Sequence, residues 1–211
     1  MKLISVNTGG PQNFLWNGKE VATSIFKKPY PGKCRVTFTN AGDDRQSDLI
    51  HHGGLDKAVY SYDYSYYNNW KKYFKEDNPL YGLFGENLTT LGMTDDLVFI
   101  GDIYIVGSVK LKAVQPRFPC FKLNIRFGED YILNRFYDLG FFGTYFRVVE
   151  EGYLNAGDEI ILDHRSQFDL TIADIVNCKR SKGEDREKLE LILNNETIPA
   201  DLRESLSIYK T

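Results

Sequence analysis

The sequence predicts a mainly β protein with helical additions, a closed or partly closed β-barrel followed by a small three-helix bundle. Three observations predict it. The first 165 residues carry short strand-like runs broken by Gly, Pro and Asp. Tyr and Phe, at 14 each, are abundant, which suits β structure and aromatic pocket walls. After Arg165 the apolar spacing becomes helical. Many short strands without regularly alternating helices disfavour a parallel, doubly wound sheet.

Strands are expected over 2–7, 33–39, 58–62, 103–106, 109–114, 145–150 and 159–163. Val109, Leu111 and Ala113 alternate with Lys110 and Lys112, the period of a half-buried strand. Helices are expected over 64–75 and 129–139. Beyond Arg165, Thr171 and Asp174 can form a capping box, with Ile172, Ile175 and Val176 on one face of the helix behind it. A second helix runs over 184–193, and Pro199 suits the first turn of a third, where Leu202 and Leu206 stand four apart. Three short helices are too little to be secure alone. The chain is therefore divided into residues 1–165 and a docked tail, 166–211, serving as domain or dimer support.

A net charge of −3 disfavours a general nucleic-acid binder. The first residues lack a signal-peptide core and no apolar run approaches a membrane span, which reads as cytoplasmic. Cys34, Cys120 and Cys178 show no disulfide pattern, and no CxxC or HExxH spacing suggests zinc. Cys34 and Cys178 read as core residues.

The chemistry concentrates in three places. Gln115-Pro116-Arg117-Phe118-Pro119-Cys120-Phe121-Lys122-Leu123 holds a thiol on a turn stiffened by two prolines. Arg117 and Lys122 favour a negative sulfur, the form needed by a nucleophile or a soft-metal ligand; the competing reading is a small buried hydrophobe. Between Ile103 and Gly128 stand five cations (Lys110, Lys112, Arg117, Lys122, Arg126) and no acid, which points to an anionic ligand. Lys110 and Lys112 also fit the solvated face of a strand. The second place is His51-His52-Gly53-Gly54-Leu55-Asp56-Lys57-Ala58, where glycines allow close backbone approach and an imidazole can move a proton. Adjacent histidines in extended chain point oppositely, so at most one faces a given site. Asp56 and Lys57 could orient a ligand or pair with each other, and the segment could be a structural turn. The third is Phe84-Gly85-Glu86-Asn87-Leu88, a loop before a strand, whose Glu86 and Asn87 could bind a heterocycle or satisfy their own turn.

Taken in order, H-G-G-x-D-K-A, F-G-E-N-L and P-R-x-P-C-x-K-L closely resemble the MOSC domain, in its YiiM-like branch, over nearly the whole chain. The resemblance implies a MOSC-type β-barrel with a three-helix C-terminal domain, and the molybdenum cofactor, a pterin with a phosphate and a dithiolene-held metal. It makes Cys120 the molybdenum ligand. Arg117, Lys122 and Arg126 become phosphate partners, and Gly53, Gly54, Lys57, Glu86 and Asn87 surround the cofactor or substrate. His52 is matched to the family's histidine, as proton donor or substrate-orienting group. The implied activity is an oxidoreductase that reduces N-hydroxylated compounds, such as hydroxylaminopurine-type bases, to amines. No flavin, haem or iron–sulfur motif is present, so electrons are expected from a separate reductase; pyridoxal phosphate is not expected. Two alternatives stay open: a cofactor or sulfur carrier without turnover, and a metal-free enzyme pairing Cys120 with His52.

Overall fold

The alternation of Val109, Leu111 and Ala113 with two lysines builds the central strand. The apolar side chains are buried and the lysines half-buried, as a pleated strand with one core face requires. A computed structural model of the chain describes residues 1–47, 53–74 and 81–210.

In chain order the strands are β1 (Lys2–Thr8), β2 (Gln12–Trp16), β3 (Lys19–Thr23), β4 (Lys28–Pro29), β5 (Cys34–Val36) and β6 (Val59–Asp63). They continue with β7 (Leu88–Leu91), β8 (Ile103–Val106), β9 (Val109–Pro116), β10 (Thr144–Glu150), β11 (Gly152–Leu154) and β12 (Ile160–His164). Eight of them form one sheet in the order β12-β8-β9-β10-β6-β7-β1-β4. Pairing is antiparallel except between β6 and β7, where Ser61 lies opposite Leu88. The hairpin β2–β3 turns on Asn17 and Gly18, both at positive φ, the conformation a tight right-twisted hairpin needs. Strands β5 and β11 form a separate pair.

The expected closed or partly closed barrel gives way to an open sheet with β12 and β4 at its edges. β1 shows why. One of its edges pairs with β7, but the other is divided. Asn7 and Thr8 pair with β4, whereas Lys2 makes only an isolated bridge to Glu159. Backbone bonds from Leu3 to Asp158, Gly157 to Leu3 and Ile160 to Met1 bring β1 beside the approach to β12 without a continuous ladder.

Between β6 and β7 the chain forms a 3₁₀ segment, Tyr64–Tyr73, capped by the Asp63 side chain. After β9 come α1 (Lys122–Phe127) and α2 (Ile132–Leu139), each ended by a glycine in the left-handed region, Gly128 and Gly140. The tail holds α3 (Ile172–Arg180), α4 (Arg186–Leu193) and α5 (Ala200–Ser207). Thr171 and Asp174 make the expected reciprocal capping box on α3. Ile172, Ile175, Leu189, Ile192, Leu202 and Leu206 lie in the same buried cluster as Val106, Leu111 and Val148 of the sheet. Burial is worth roughly 1.5–3 kcal/mol for each such side chain. A second cluster, rich in aromatics, centres on Tyr62, Trp70, Phe84 and Phe136.

The expected strands recur with ends shifted by at most three residues, and the one over 103–106 recurs unchanged. The hairpin β2–β3, the short β4 and β11, and α1 were not foreseen. Each of these elements is only two to six residues long, and their stability comes from tertiary neighbours rather than local pattern. Among the described residues no helix is long and apolar enough to cross a membrane.

Candidate functional site

The sheet brings the end of β3, the loop after residue 43, the 3₁₀ turn Leu55–Lys57, the turn before β7 and the end of β9 around one cavity of about 70 Å³. Among the described residues, Lys27, Lys57, Arg117 and Lys122 line it with a single carboxylate, Asp44. Cys120, Asn87, Tyr60 and Tyr145 complete the wall.

Arg117 is the centre of the wall. Pro116 is the last residue of β9 and pairs with Thr144 of β10, and the Arg117 N–H then donates to the Gly143 carbonyl at 3.1 Å. The guanidinium sits over the Tyr60 ring at 5.3 Å and is 5% exposed. Its Nη1 is buried with no hydrogen-bond partner among the described residues. Burial alone would lower the Arg117 pKa; the neighbouring Tyr60, Tyr145 and Cys120 reverse this and leave it raised. Burial pushes the Tyr60 and Tyr145 phenols up, with Arg117 opposing. Both therefore remain protonated donors near neutral pH. Tyr60 spends its hydroxyl on the Phe142 carbonyl at 2.9 Å.

Cys120 is half-buried at the cavity, and its carbonyl accepts from the Leu123 N–H, the first turn of α1. Phe118, between the two prolines, packs edge-on against Phe142. The ammonium of Lys179 from α3 covers its ring at 4.2 Å. The tail thus buttresses the cysteine motif.

Opposite lies a polar network. Lys27 Nζ donates to Asp44 Oδ2 at 2.5 Å, Asn87 Nδ2 to the same oxygen at 2.9 Å, and the Gly9 N–H to Oδ1 at 2.8 Å. Burial lowers the Lys27 pKa, and Asp44 opposes that shift. Asn87 also accepts from the Tyr60 N–H, so it ties the wall to β6.

The remaining expected residues divide. Glu86 is fully buried but faces its own turn. Its Oε1 accepts from Tyr67, Thr89 and the Gly82 N–H, and its Oε2 from the Phe84 N–H. Burial raises its pKa against those donors. Gly85 lines the cavity at φ +80. Gly53 and Gly54 do not line it; Gly54 takes φ +94 to start the 3₁₀ turn. Asp56 pairs with Arg147, not with Lys57, whose ammonium reaches Asp201 of α5 at 3.0 Å. Arg126 stacks over Phe26 at 4.9 Å, its Nε buried without a partner among the described residues. Burial lowers the Arg126 pKa, and Glu86 and Tyr67 oppose it. Lys110 pairs with Asp163 away from the cavity, in keeping with the solvated face of β9. Cys34 and Cys178 are buried in the core, the former pushed up to about 11 by burial and then by Asp43 and Asp44. His51 and His52 lie outside the described residues.

Lys27, Asp44, Tyr60 and Tyr145 were not foreseen. Lys27 and Asp44 sit in loops without a motif. Tyr60 and Tyr145 meet only through the pairing of β6 with β10, where they are opposite each other.

Among the described residues no three His, Cys, Asp or Glu side chains cluster to hold a metal. The cavity instead offers one thiol, cations and a buried guanidinium with an unused donor. That donor set fits an anionic cofactor that brings most of its metal's ligands with it.

A mainly β scaffold with a cationic, cysteine-bearing cavity is the class of protein described so far. The chain belongs to the MOSC-domain family: the family's model matches residues 48–161, more than half of the chain. It is similar to YflK of Bacillus subtilis (strain 168), 36% identical over 171 residues, 81% of this chain and 76% of that protein. Protein YiiM of Escherichia coli (strain K12) is 33% identical over 171 residues, 80% of this chain and 75% of that one. A protein named Reductase from Gibberella moniliformis (strain M3125 / FGSC 7600) is 38% identical over 79% of this chain, which spans only 30% of that protein. The crystal structure of YiiM from Geobacillus stearothermophilus matches 100% of this chain, and 99% of that one, with a TM-score of 0.82 at 28% identity. These relatives place the chain in the YiiM-like branch.

Proposed function

We propose that this protein is a molybdenum-cofactor-dependent reductase that converts N-hydroxylated compounds, such as hydroxylaminopurine-type bases, to amines in the cytoplasm. A separate reductase would supply the electrons. Residues 1–165 would form the cofactor-binding unit and 166–211 a docked support. The observation that carries this reading is the convergence, on one cavity, of the Cys120 thiol and the Arg117 guanidinium with its unused buried donor.

The overall conversion takes R–NHOH, two electrons and two protons to R–NH2 and water. When bound, the cofactor supplies the two-electron redox chemistry. Cys120 Sγ would hold the metal as a thiolate, a soft ligand suited to it. Arg117 Nη1 would donate to an anionic oxygen of the cofactor, and Lys57 and Lys122 would add positive charge along the same wall. Tyr145 and the Asn87–Asp44 pair form the neighbouring part of that wall. His52 is assigned as proton donor, through an imidazole nitrogen, on the motif alone.

The test uses protein purified from a host that makes the cofactor. Cys120→Ser should lose most of its bound molybdenum and its amine production, while keeping its fold by circular dichroism. Unchanged molybdenum in that variant would remove the ligand assignment. A loaded wild-type protein that forms no amine with a competent electron donor would leave a carrier instead.

A further inference from the structure

The cavity wall is not built by the sheet alone. Lys57 lines the cavity, yet its ammonium is held by a carboxylate 144 residues further on, Asp201, in the first turn of α5. Both oxygens of that carboxylate are used. Oδ2 accepts from Lys57 Nζ at 3.0 Å, and Oδ1 accepts from the Leu202 N–H at 2.9 Å. The start of a helix is where a carboxylate is favoured and where free N–H groups fix its orientation. α5 itself is anchored by Leu202 and Leu206 in the shared core, so the carboxylate is a fixed point on the body of the protein.

The backbone beneath Lys57 is fixed as well. Gln46 Nε2 donates to the Lys57 carbonyl at 3.3 Å, and Gln115 Nε2 to the Asp56 carbonyl at 3.3 Å. The Asp56 side chain is held by Arg147 of β10. With its main chain held by these bonds, the remaining freedom of Lys57 lies in its long side chain, and Asp201 restrains that. A lysine otherwise loses substantial rotamer entropy when it must meet an anion in one place.

We propose that Asp201 is a positioning residue of the cavity: it holds the Lys57 ammonium at the wall, so the C-terminal helices help set the strength of anion binding. This rests on reading the cavity as an anion site and adds a role for the tail that no motif in it announces. The effect has a ceiling. The Asp201 side chain is 65% exposed, so the pair is screened by water and salt. Its removal should weaken binding by about three- to five-fold, the scale of an exposed ion pair.

The experiment is a double-mutant cycle on the full chain, with inorganic phosphate as the probe and affinity read by calorimetry at low and high salt. Asp201→Ala should weaken phosphate binding by that factor at low salt and by much less at high salt. In a Lys57→Met background, Asp201→Ala should change nothing further, which a purely structural role could not produce. Melting temperatures of all four proteins control for folding. Unchanged or tighter binding in Asp201→Ala, or equal losses in both backgrounds, overturns the proposal while leaving the anion cavity intact. Failure of the wild-type protein to bind phosphate would overturn the cavity reading itself.

Discussion

Glu86 and Asn87 stand side by side in one motif, yet only Asn87 reaches the cavity. From sequence both were candidates to grip a heterocycle. Asn87 lines the cavity and shares Asp44 with Lys27, whereas Glu86 turns inward and accepts from four groups. Residue type and spacing cannot separate these fates, because the deciding partners, Tyr67 and Asp44, come from distant segments. Arg117 and Cys120 were legible for the opposite reason: two prolines and two cations within a few residues define their setting locally. Glu86→Gln tests the division. The amide keeps the size but turns one acceptor into a donor facing donors, so stability in urea should fall by about 1–3 kcal/mol. Molybdenum per folded molecule should stay near the wild-type level. A loss of molybdenum with unchanged stability would put Glu86 back in the site.

At the scale of elements, the turn that carries Phe142 and Gly143 into β10 decides where Arg117 sits. Gly143 has φ +72, and a Cβ there would meet the Ser61 carbonyl at 2.3 Å, so the close approach of the turn to β6 requires glycine. The Gly143 carbonyl holds the Arg117 N–H, and its N–H donates to Asp95. Nothing in the sequence marks this glycine over its neighbours, since its constraint is created by strand pairing. The capping box of α3, by contrast, is a four-residue pattern and was legible outright. Gly143→Ala should cost about 1–3 kcal/mol from the backbone angle alone, more with the clash. It should also displace Arg117. The expected result is a lower urea midpoint together with weaker phosphate binding. A variant that is destabilised but binds phosphate like the wild type would separate the turn from the site.

For the molecule as a whole, the sequence made the strand content and the helical tail visible, while the open edge order and the shared core were not. Those depend on which distant segments pair, information that local periodicity does not hold. Asp95 lies where several of those segments meet. Its carboxylate accepts from the Phe142 and Gly143 N–H groups, its own N–H reaches the Tyr66 hydroxyl, and its carbonyl accepts from Ala173 at the start of α3. Burial raises its pKa to about 6, against the hydrogen bonds from the turn. The sign follows from linkage. Between about pH 4 and pH 6 the folded protein holds a proton on Asp95 that the unfolded chain releases, so stability falls as pH rises through this window. The contribution is fully present below about pH 4 and is lost above the folded pKa, to the extent of about 3 kcal/mol. Urea unfolding of wild type and Asp95→Asn at a series of pH values isolates it, because distant titrations cancel in the difference. The wild type should lose about 2–3 kcal/mol relative to the variant between pH 4 and pH 7.5. Parallel curves would mean that Asp95 is ionised throughout, held so by the two N–H groups of the turn on which Arg117 rests.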